Sequence, residues 1–169
     1  PWASVFIGAL LLIGMALPVF GLRLGFSDEG NFPENTTTRK AYDLLAEGFG
    51  PGFNGPFLMV AALPDGSDAE ALAPIQAAVQ DDPGVVFVTP ATPNDEKDPA
   101  AATAVQWVII PTSSPQAEET TDTVNRLRAE TLPAAERAAG VDVALTGSVP
   151  VQVDFSEYLA SRLPYFFGA

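Results

Sequence analysis

Three pairs of adjacent acidic residues are the side chains best suited to chemistry in this sequence. Converging carboxylates can serve as a general acid and base, or they can bind Ca²⁺. Each pair is close to Gly or Pro in a predicted loop, and none has the spacing of an EF-hand. We therefore interpret them as solvated turn residues and expect neither a metal site nor a catalytic carboxylate. The pairs are Asp28/Glu29, Asp81/Asp82 and Asp95/Glu96.

The residue types that the chain lacks exclude much of enzymology. It contains no His and no Cys, so imidazole bases, thiolate nucleophiles, Cys/His zinc sites and disulfides are ruled out. Neither a G-x-S-x-G elbow nor a Walker loop is present. Its 21 acidic residues outnumber 8 basic ones, which disfavours a nucleic-acid partner because basic side chains bind phosphates. We expect a protein that is not an enzyme, with an exported carboxylate hydrolase as an alternative.

A glycine-rich segment, 50–55, matches G-x-G-x-x-G as a string. A dinucleotide fingerprint must follow a strand and open a helix, whereas this segment follows a predicted helix and precedes a strand. Pro51 and Pro56 also lack the backbone donors that a pyrophosphate needs. We expect no cofactor here and interpret the segment as a tight connection. The alternative is a flexible linker, in which a hinge or substrate-path contact is formed by Phe49, Gly52, Phe53 and Asn54.

The two ends of the chain are apolar. Residues 1–22 carry no charge, and at about 1.5 Å per residue they would reach across the ~30 Å core of a bilayer. This predicts a transmembrane helix, with a signal peptide as the alternative. At the other end, Arg162 precedes the aromatic run 165–167, which is typical of a membrane interface. It predicts the start of a second membrane segment, with an apolar tail packed on the domain as the alternative.

The residues between these ends predict one α+β domain. A segment over 23–56 connects it to the first helix through a short amphipathic helix and the Gly/Pro linker. Within 57–147 the apolar patterns give the order strand, helix, strand, strand, helix, strand, which is the βαββαβ order of a ferredoxin-like sandwich. A further helix over 148–169 leads toward the second membrane segment. The predicted strands are 57–63, 85–88, 103–110 and 141–146.

Several of these residues together resemble the MMPL family of transporters, which belongs to the resistance-nodulation-division superfamily. The resemblance extends over nearly the whole chain, and its first third is the most specific part. It follows the domain of the second half of such transporters more closely than that of the first. The residues that carry it are Arg23-Leu24-Gly25-Phe26, Asp28, Gly30-Asn31, Pro33, the run from Thr36 to Leu45, and Phe49-Gly50-Pro51-Gly52-Phe53-Asn54-Gly55-Pro56.

The resemblance implies a porter-type domain placed outside the cytoplasm after a membrane helix of a multi-pass protein in the bacterial cell membrane. Such transporters export lipids or other amphiphilic small molecules and are driven by protons. The implied partners are membrane lipid, the amphiphilic substrate and the pseudo-symmetric domain of the same parent chain, with a homo-oligomer left open. Residues 1–22 hold no ionisable group, so the proton relay is expected elsewhere in the parent.

The main hypothesis is therefore an excerpt of an exporter that helps to form the path of its substrate. The alternative from a different class is a membrane-tethered binding or scaffold module without transport activity. A parent reading frame with further apolar spans beyond residue 169 favours the first hypothesis over the second.

Overall fold

The computed structural model describes residues 2–21, 25, 27–63, 69–95, 97–98 and 101–168. Its helices are α1 (Trp2–Ala16), α2 (Thr37–Phe49), α3 (Ala73–Gln80), α4 (Glu118–Arg126), α5 (Leu132–Ala139) and α6 (Ser148–Gly168). Its strands are β1 (Phe57–Ala62), β2 (Val85–Val88), β3 (Thr92–Pro93), β4 (Ala104–Pro111) and β5 (Val143–Thr146). The predicted α+β class is confirmed.

The strands form one antiparallel sheet in the order β2-β4-β1-β5, and the short β3 also pairs with β4. Met59 of β1 lies opposite both Trp107 of β4 and Leu145 of β5, so these three side chains share one face. That face is buried under α3, α4, α5 and the first turns of α6. The opposite face, which includes Leu58 and Phe87, is exposed.

Strand β3 was not predicted, because its Pro-rich surroundings favour an exposed loop. A side chain explains it: Asn94 Oδ1 accepts hydrogen bonds from the backbone N–H groups of Thr103, at 3.0 Å, and Ala104, at 3.3 Å. Asn94 Nδ2 also donates to Thr103 Oγ1 at 3.0 Å. This amide clamps the two sides of the hairpin together, so that a two-residue strand can form.

The helix predicted between the strands 103–110 and 141–146 is divided in the structure. Ser114 followed by Pro115 is typical of a helix N-terminus, but α4 begins later, at Glu118, and a π-helical turn over Leu127–Thr131 separates it from α5. Pro133 lies in the first turn of α5 and has no N–H to donate to the preceding turn, which explains the irregularity. Gly140 ends α5 in the left-handed conformation, φ 70° and ψ 27°, which is the usual role of a glycine directly after a helix.

The helix predicted for residues 1–22 is shorter than expected. Helix α1 ends at Ala16 and continues as a 3₁₀ turn over Leu17–Gly21. The cause is Pro18, which has no N–H for the carbonyl of Gly14 and whose ring crowds that carbonyl. In the described part of the chain, no helix combines the length and the apolarity required to cross a bilayer.

Candidate functional site

Helix α2 presents its apolar side to solvent. Its half-buried positions are Arg39, Tyr42 and Ala46, which follow helical spacing along the side that faces the domain. None of its residues is fully buried. An amphipathic helix usually packs its apolar side onto the core, so the orientation of α2 is inverted. We call its exposed side the outer stripe, which is formed by Ala41, Leu44, Leu45, Gly48 and Phe49 together with Phe53 of the following turn.

The start of α2 is fixed by a side-chain cap, which the hydroxyls of the threonine run before the helix favour. Thr36 Oγ1 accepts a hydrogen bond from the backbone N–H of Arg39 at 3.3 Å. Arg39 in turn donates to both carboxylate oxygens of Asp43, at 2.8 and 3.0 Å, and to the carbonyl of Gly30. The hydrogen bond with Asp43 raises the pKa of Arg39. Arg39 therefore ties the first turns of the helix to the loop before it.

A polar network joins α2 to the domain through Asp28. Its carboxylate accepts hydrogen bonds from Tyr42 Oη at 3.2 Å, from Gln116 Nε2 at 2.7 Å and from the backbone N–H of Gly30 at 2.9 Å. Burial and the adjacent charge of Asp28 raise the pKa of Tyr42 to about 12. Asn31 Nδ2 donates to Gln116 Oε1 at 3.0 Å. Asp28 thus has the turn role predicted for it, through the bond from Gly30, and in addition a docking role that was not predicted.

The four predicted hinge or path residues come together at the end of α2 and in the 3₁₀ turn Pro51–Asn54. Phe49 and Phe53 stack with ring centroids 4.8 Å apart. Both rings remain accessible, with Phe49 65% and Phe53 40% exposed. They extend the outer stripe beyond the helix, and they form the part of the predicted site that a ligand can contact.

Gly52 and Asn54 have a different role, because both anchor the turn. A Cβ added at Gly52 would lie 1.7 Å from the carbonyl oxygen of Pro111, so the backbones approach closely only because glycine has no side chain. Asn54 Nδ2 donates to the carbonyl of Tyr42 at 3.1 Å. The segment is a tight connection, which is the first of the two sequence interpretations. A hinge role stays a prediction.

Asp82 contradicts the interpretation of the acidic pairs as solvated turns. It is 6% exposed, and Arg126 donates to its two carboxylate oxygens, from Nε at 2.8 Å and from Nη2 at 2.5 Å. The backbone N–H of Gly84 donates to the same carboxylate at 2.8 Å. Burial alone would raise the pKa of Asp82, but the bonds from Arg126 and Gly84 outweigh it and lower the pKa. The pairing raises the pKa of Arg126.

Sequence reasoning missed the ion pair between Asp82 and Arg126 because its members are 44 positions apart.

The turn prediction fits Asp95, whose carboxylate accepts hydrogen bonds from the backbone N–H groups of Lys97 and Asp98, both at 3.0 Å. Glu96 lies outside the described residues. Within the described part of the chain, no three Asp or Glu side chains converge closely enough to hold a metal ion.

A surface cavity of about 500 Å³ opens on the exposed face of the sheet, next to the β3–β4 hairpin. Its lining mixes apolar groups such as Val60 and Ala104 with polar ones such as Thr92, Gln106 and Lys97. None of the four predicted site residues lines it. The cavity and the outer stripe are therefore formed by separate sets of residues.

The structure thus defines an α+β domain with accessible apolar surfaces, and sequence comparison identifies its class. No protein-family model matches the chain. Over 159 residues, or 93% of its length, it is 36% identical to Membrane protein YdfJ of Bacillus subtilis (strain 168). Over an alignment of 173 residues, or 99% of its length, it is 30% identical to the Mycolic acid-containing lipids exporter MmpL11 of Mycolicibacterium smegmatis (strain ATCC 700084 / mc(2)155).

The chain is therefore a domain related to the MMPL transporters of the resistance-nodulation-division superfamily, which confirms the resemblance noted in its sequence. It covers 21% of the length of YdfJ and 17% of the length of MmpL11, so it spans about a fifth of the curated relatives that it matches.

Proposed function

We propose that the chain is an extracytoplasmic domain of a proton-driven MMPL-type exporter and forms part of the path of a lipid or another amphiphilic molecule. The observation that carries the proposal is the alignment of 99% of the chain with a protein named as an exporter of mycolic acid-containing lipids. The second relative is named as a membrane protein. We propose the bacterial cell membrane as the location of the parent, and no catalytic role for this domain.

The topology supports a porter-type fold for residues 57–147. Helices connect β1 to β2 and β4 to β5, and the sheet order β2-β4-β1-β5 is the one expected when a βαββαβ chain folds as a ferredoxin-like sandwich. In this proposal α1 and α6 lead toward the membrane on either side of the domain. Helix α1 supports it, because the helix is apolar on all sides and none of its residues is buried.

The outer stripe is the surface that we assign to the substrate path. Its six members are uncharged, and they lie side by side on α2 and the following turn. An acyl chain that leaves water for such a surface gains at most about 0.8 kcal/mol per methylene, without any need for a specific partner. The hydrogen bonds from Tyr42 and Gln116 to Asp28 hold the opposite side of α2, so the outer stripe can stay exposed while the helix is fixed.

Export by the intact transporter tests this assignment. The double variant Phe49→Ala/Phe53→Ala removes both stacked rings, and we expect at least a fivefold loss of lipid export at equal surface expression. The matched control is Phe87→Ala, since Phe87 is 51% exposed but lies on the sheet face. Undiminished export by the double variant would remove the stripe from the path.

The scaffold alternative is tested separately in proteoliposomes that contain the unmodified parent. The exporter proposal expects lipid transfer that stops when the proton gradient is collapsed. Lipid transfer that is absent with and without a gradient would favour the membrane-tethered scaffold.

A further inference from the structure

Two of the strands at the edges of the sheet, β2 and β5, have no charged residue and no proline of their own. Strand β2 reads Val-Val-Phe-Val and β5 reads Val-Ala-Leu-Thr. Exposed edge strands present unpaired N–H and C=O groups to other chains, and proteins commonly protect them with charges, prolines or bulges. Apart from a register shift between Val85 and Phe87 of β2, neither strand carries such a device, so further protection must come from other parts of the chain.

At the β2 edge the protection comes from the side-chain amide of Gln80. Its Oε1 accepts a hydrogen bond from the backbone N–H of Val88 at 2.8 Å, and its Nε2 donates to the carbonyl of Val86 at 3.1 Å. Thr89 donates its backbone N–H to the carbonyl of Val108 in β4 at 2.9 Å, and backbone groups of successive strand residues point to opposite sides, so those of Val88 and Val86 point away from β4. A carboxamide has the same donor and acceptor as a peptide group. Gln80 thus takes the place that a neighbouring strand would occupy.

At the β5 edge two side chains do the same. Glu136 Oε1 accepts from the backbone N–H of Val143 at 2.9 Å, and Arg128 Nη2 donates to the carbonyl of Leu145 at 3.1 Å. Val143 and Leu145 lie two positions apart and therefore direct these groups to the same side of the strand. Arg128 is held in place by its ion pair with Asp154.

We infer that Gln80, Glu136 and Arg128 keep the sheet edges closed to a second copy of this chain. The net charge of −13 makes copies repel one another, but at physiological salt this repulsion is screened beyond about 8 Å, so it does not replace local protection of the backbone. The two edges differ, which sets the geometry of any association. If one edge is open, two copies can pair only through that same edge, which gives a symmetric dimer. If both edges are open, β2 of one copy can pair with β5 of the next, and this head-to-tail contact can continue into an open chain of copies.

Sedimentation of the whole chain in a nonionic detergent tests the inference over a range of protein concentrations. We expect the wild type to show no association through strand edges. Gln80→Ala and Glu136→Ala should each give concentration-dependent dimers and no larger species, and the double variant should give species beyond the dimer. The matched controls are Gln106→Ala and Glu47→Ala, whose side chains are exposed and make no hydrogen bond with a described residue.

Hydrogen exchange at the amide of Val88 separates strand pairing from association through unfolding. In dilute Gln80→Ala this amide should exchange about fivefold faster than in wild type, because one hydrogen bond is lost, and it should regain protection as dimers form. If the alanine variant does not fold, Gln80→Met removes the same two hydrogen bonds and retains the length of the side chain. A folded double variant that sediments like wild type would overturn the inference. So would dimers in which Val88 stays unprotected.

Discussion

The ion pair between Asp82 and Arg126 makes a strong prediction for stability and its pH dependence. It fastens the turn before β2 to α4, and Asp82 is almost completely buried, whereas the side chain of Arg126 is 32% exposed. Breaking a buried pair typically costs about 3–5 kcal/mol, because one charge is left without compensation. We expect about 3 kcal/mol for Asp82→Ala, at the lower end, since the guanidinium can rehydrate. Part of this cost is the buried N–H of Gly84, which loses its acceptor.

Arg126→Met reverses the situation, because it leaves the carboxylate buried and unpaired. We expect a cost of about 3–4 kcal/mol at neutral pH. The pKa of Asp82 is lowered in the folded wild type, so the stability that the pair contributes is complete above the unfolded pKa and is lost as the pH falls through the folded one. The difference between wild type and Arg126→Met should therefore shrink to about 1 kcal/mol at a pH of about 3.

Urea unfolding of the chain in a nonionic detergent, followed by far-UV circular dichroism, measures both quantities at neutral and acid pH. The control is Arg137→Met, since Arg137 is an exposed residue of α5 whose Nε donates only to the carbonyl of Pro133. We expect it to stay within about 0.5 kcal/mol of wild type. A cost for Arg126→Met that is equal at both pH values would refute the reasoning that Asp82 is ionised, buried and paired.

Two further substitutions test the packing of the domain. Gly52→Ala should lower the free energy of unfolding by about 3 kcal/mol or more, because the added Cβ would overlap the Pro111 carbonyl. Its control is Gly48→Ala, in an open position of α2, which should raise the free energy of unfolding by about 0.5–1 kcal/mol. A similar urea midpoint for both variants would contradict the close approach of Gly52 to Pro111. Trp107→Phe should cost no more than about 2 kcal/mol in the same assay despite the loss of volume, because the buried indole Nε1 of Trp107 has no hydrogen-bond partner among the described residues and its removal relieves a desolvation penalty. A loss above about 4 kcal/mol would show that the indole makes a stabilising contact.

Local patterns in the sequence were sufficient for most of the fold. The apolar run of β1 and the alternation in β4 gave strands at the right places, and Thr36 and Gly140 mark helix ends as their residue types predict. Each of these features depends on residues within a few positions of one another. The β3 hairpin depends on the amide of Asn94, and composition alone cannot show which partners such a side chain finds.

The candidate site was less predictable, since it depends on distant partners. Hydrophobic spacing identified α2 as amphipathic, but the side that faces the domain is decided by Asp28 and Gln116, which lie 88 positions apart. The same holds for Gly52. The sequence alone allows it to be a hinge or an anchor, and only the close approach of the Pro111 carbonyl in the structure shows that its space is limited. The sequence showed that Phe49 and Phe53 are near one another, and only the turn between them brings their rings into a stack.

The contacts of the Gly/Pro segment restrict where it can bend. Gly52 is held against Pro111, and a Cβ at Gly55 would meet Pro115 at 2.6 Å, so neither position has room to rotate freely. Gly50 is different, because it has a φ of 93° and nothing within 4 Å of an added Cβ. A hinge in this segment would therefore pivot at Gly50 and swing α2 as a unit.

Such a motion would break three sets of contacts at once. One is the hydrogen bond from Asn54 Nδ2 to the carbonyl of Tyr42, which crosses Gly50. The stack of Phe49 on Phe53 crosses the pivot and contributes about 0.5–1.5 kcal/mol beyond its buried area. The hydrogen bonds of Tyr42 and Gln116 to Asp28 tie the far side of α2 to the domain, at about 1 kcal/mol or somewhat more for each bond to a charged group. If the segment acts as a hinge, these contacts would favour the position seen in the structure by several kcal/mol. A ligand that binds the outer stripe more tightly in the open position could supply that difference, whereas one that binds both positions equally could not.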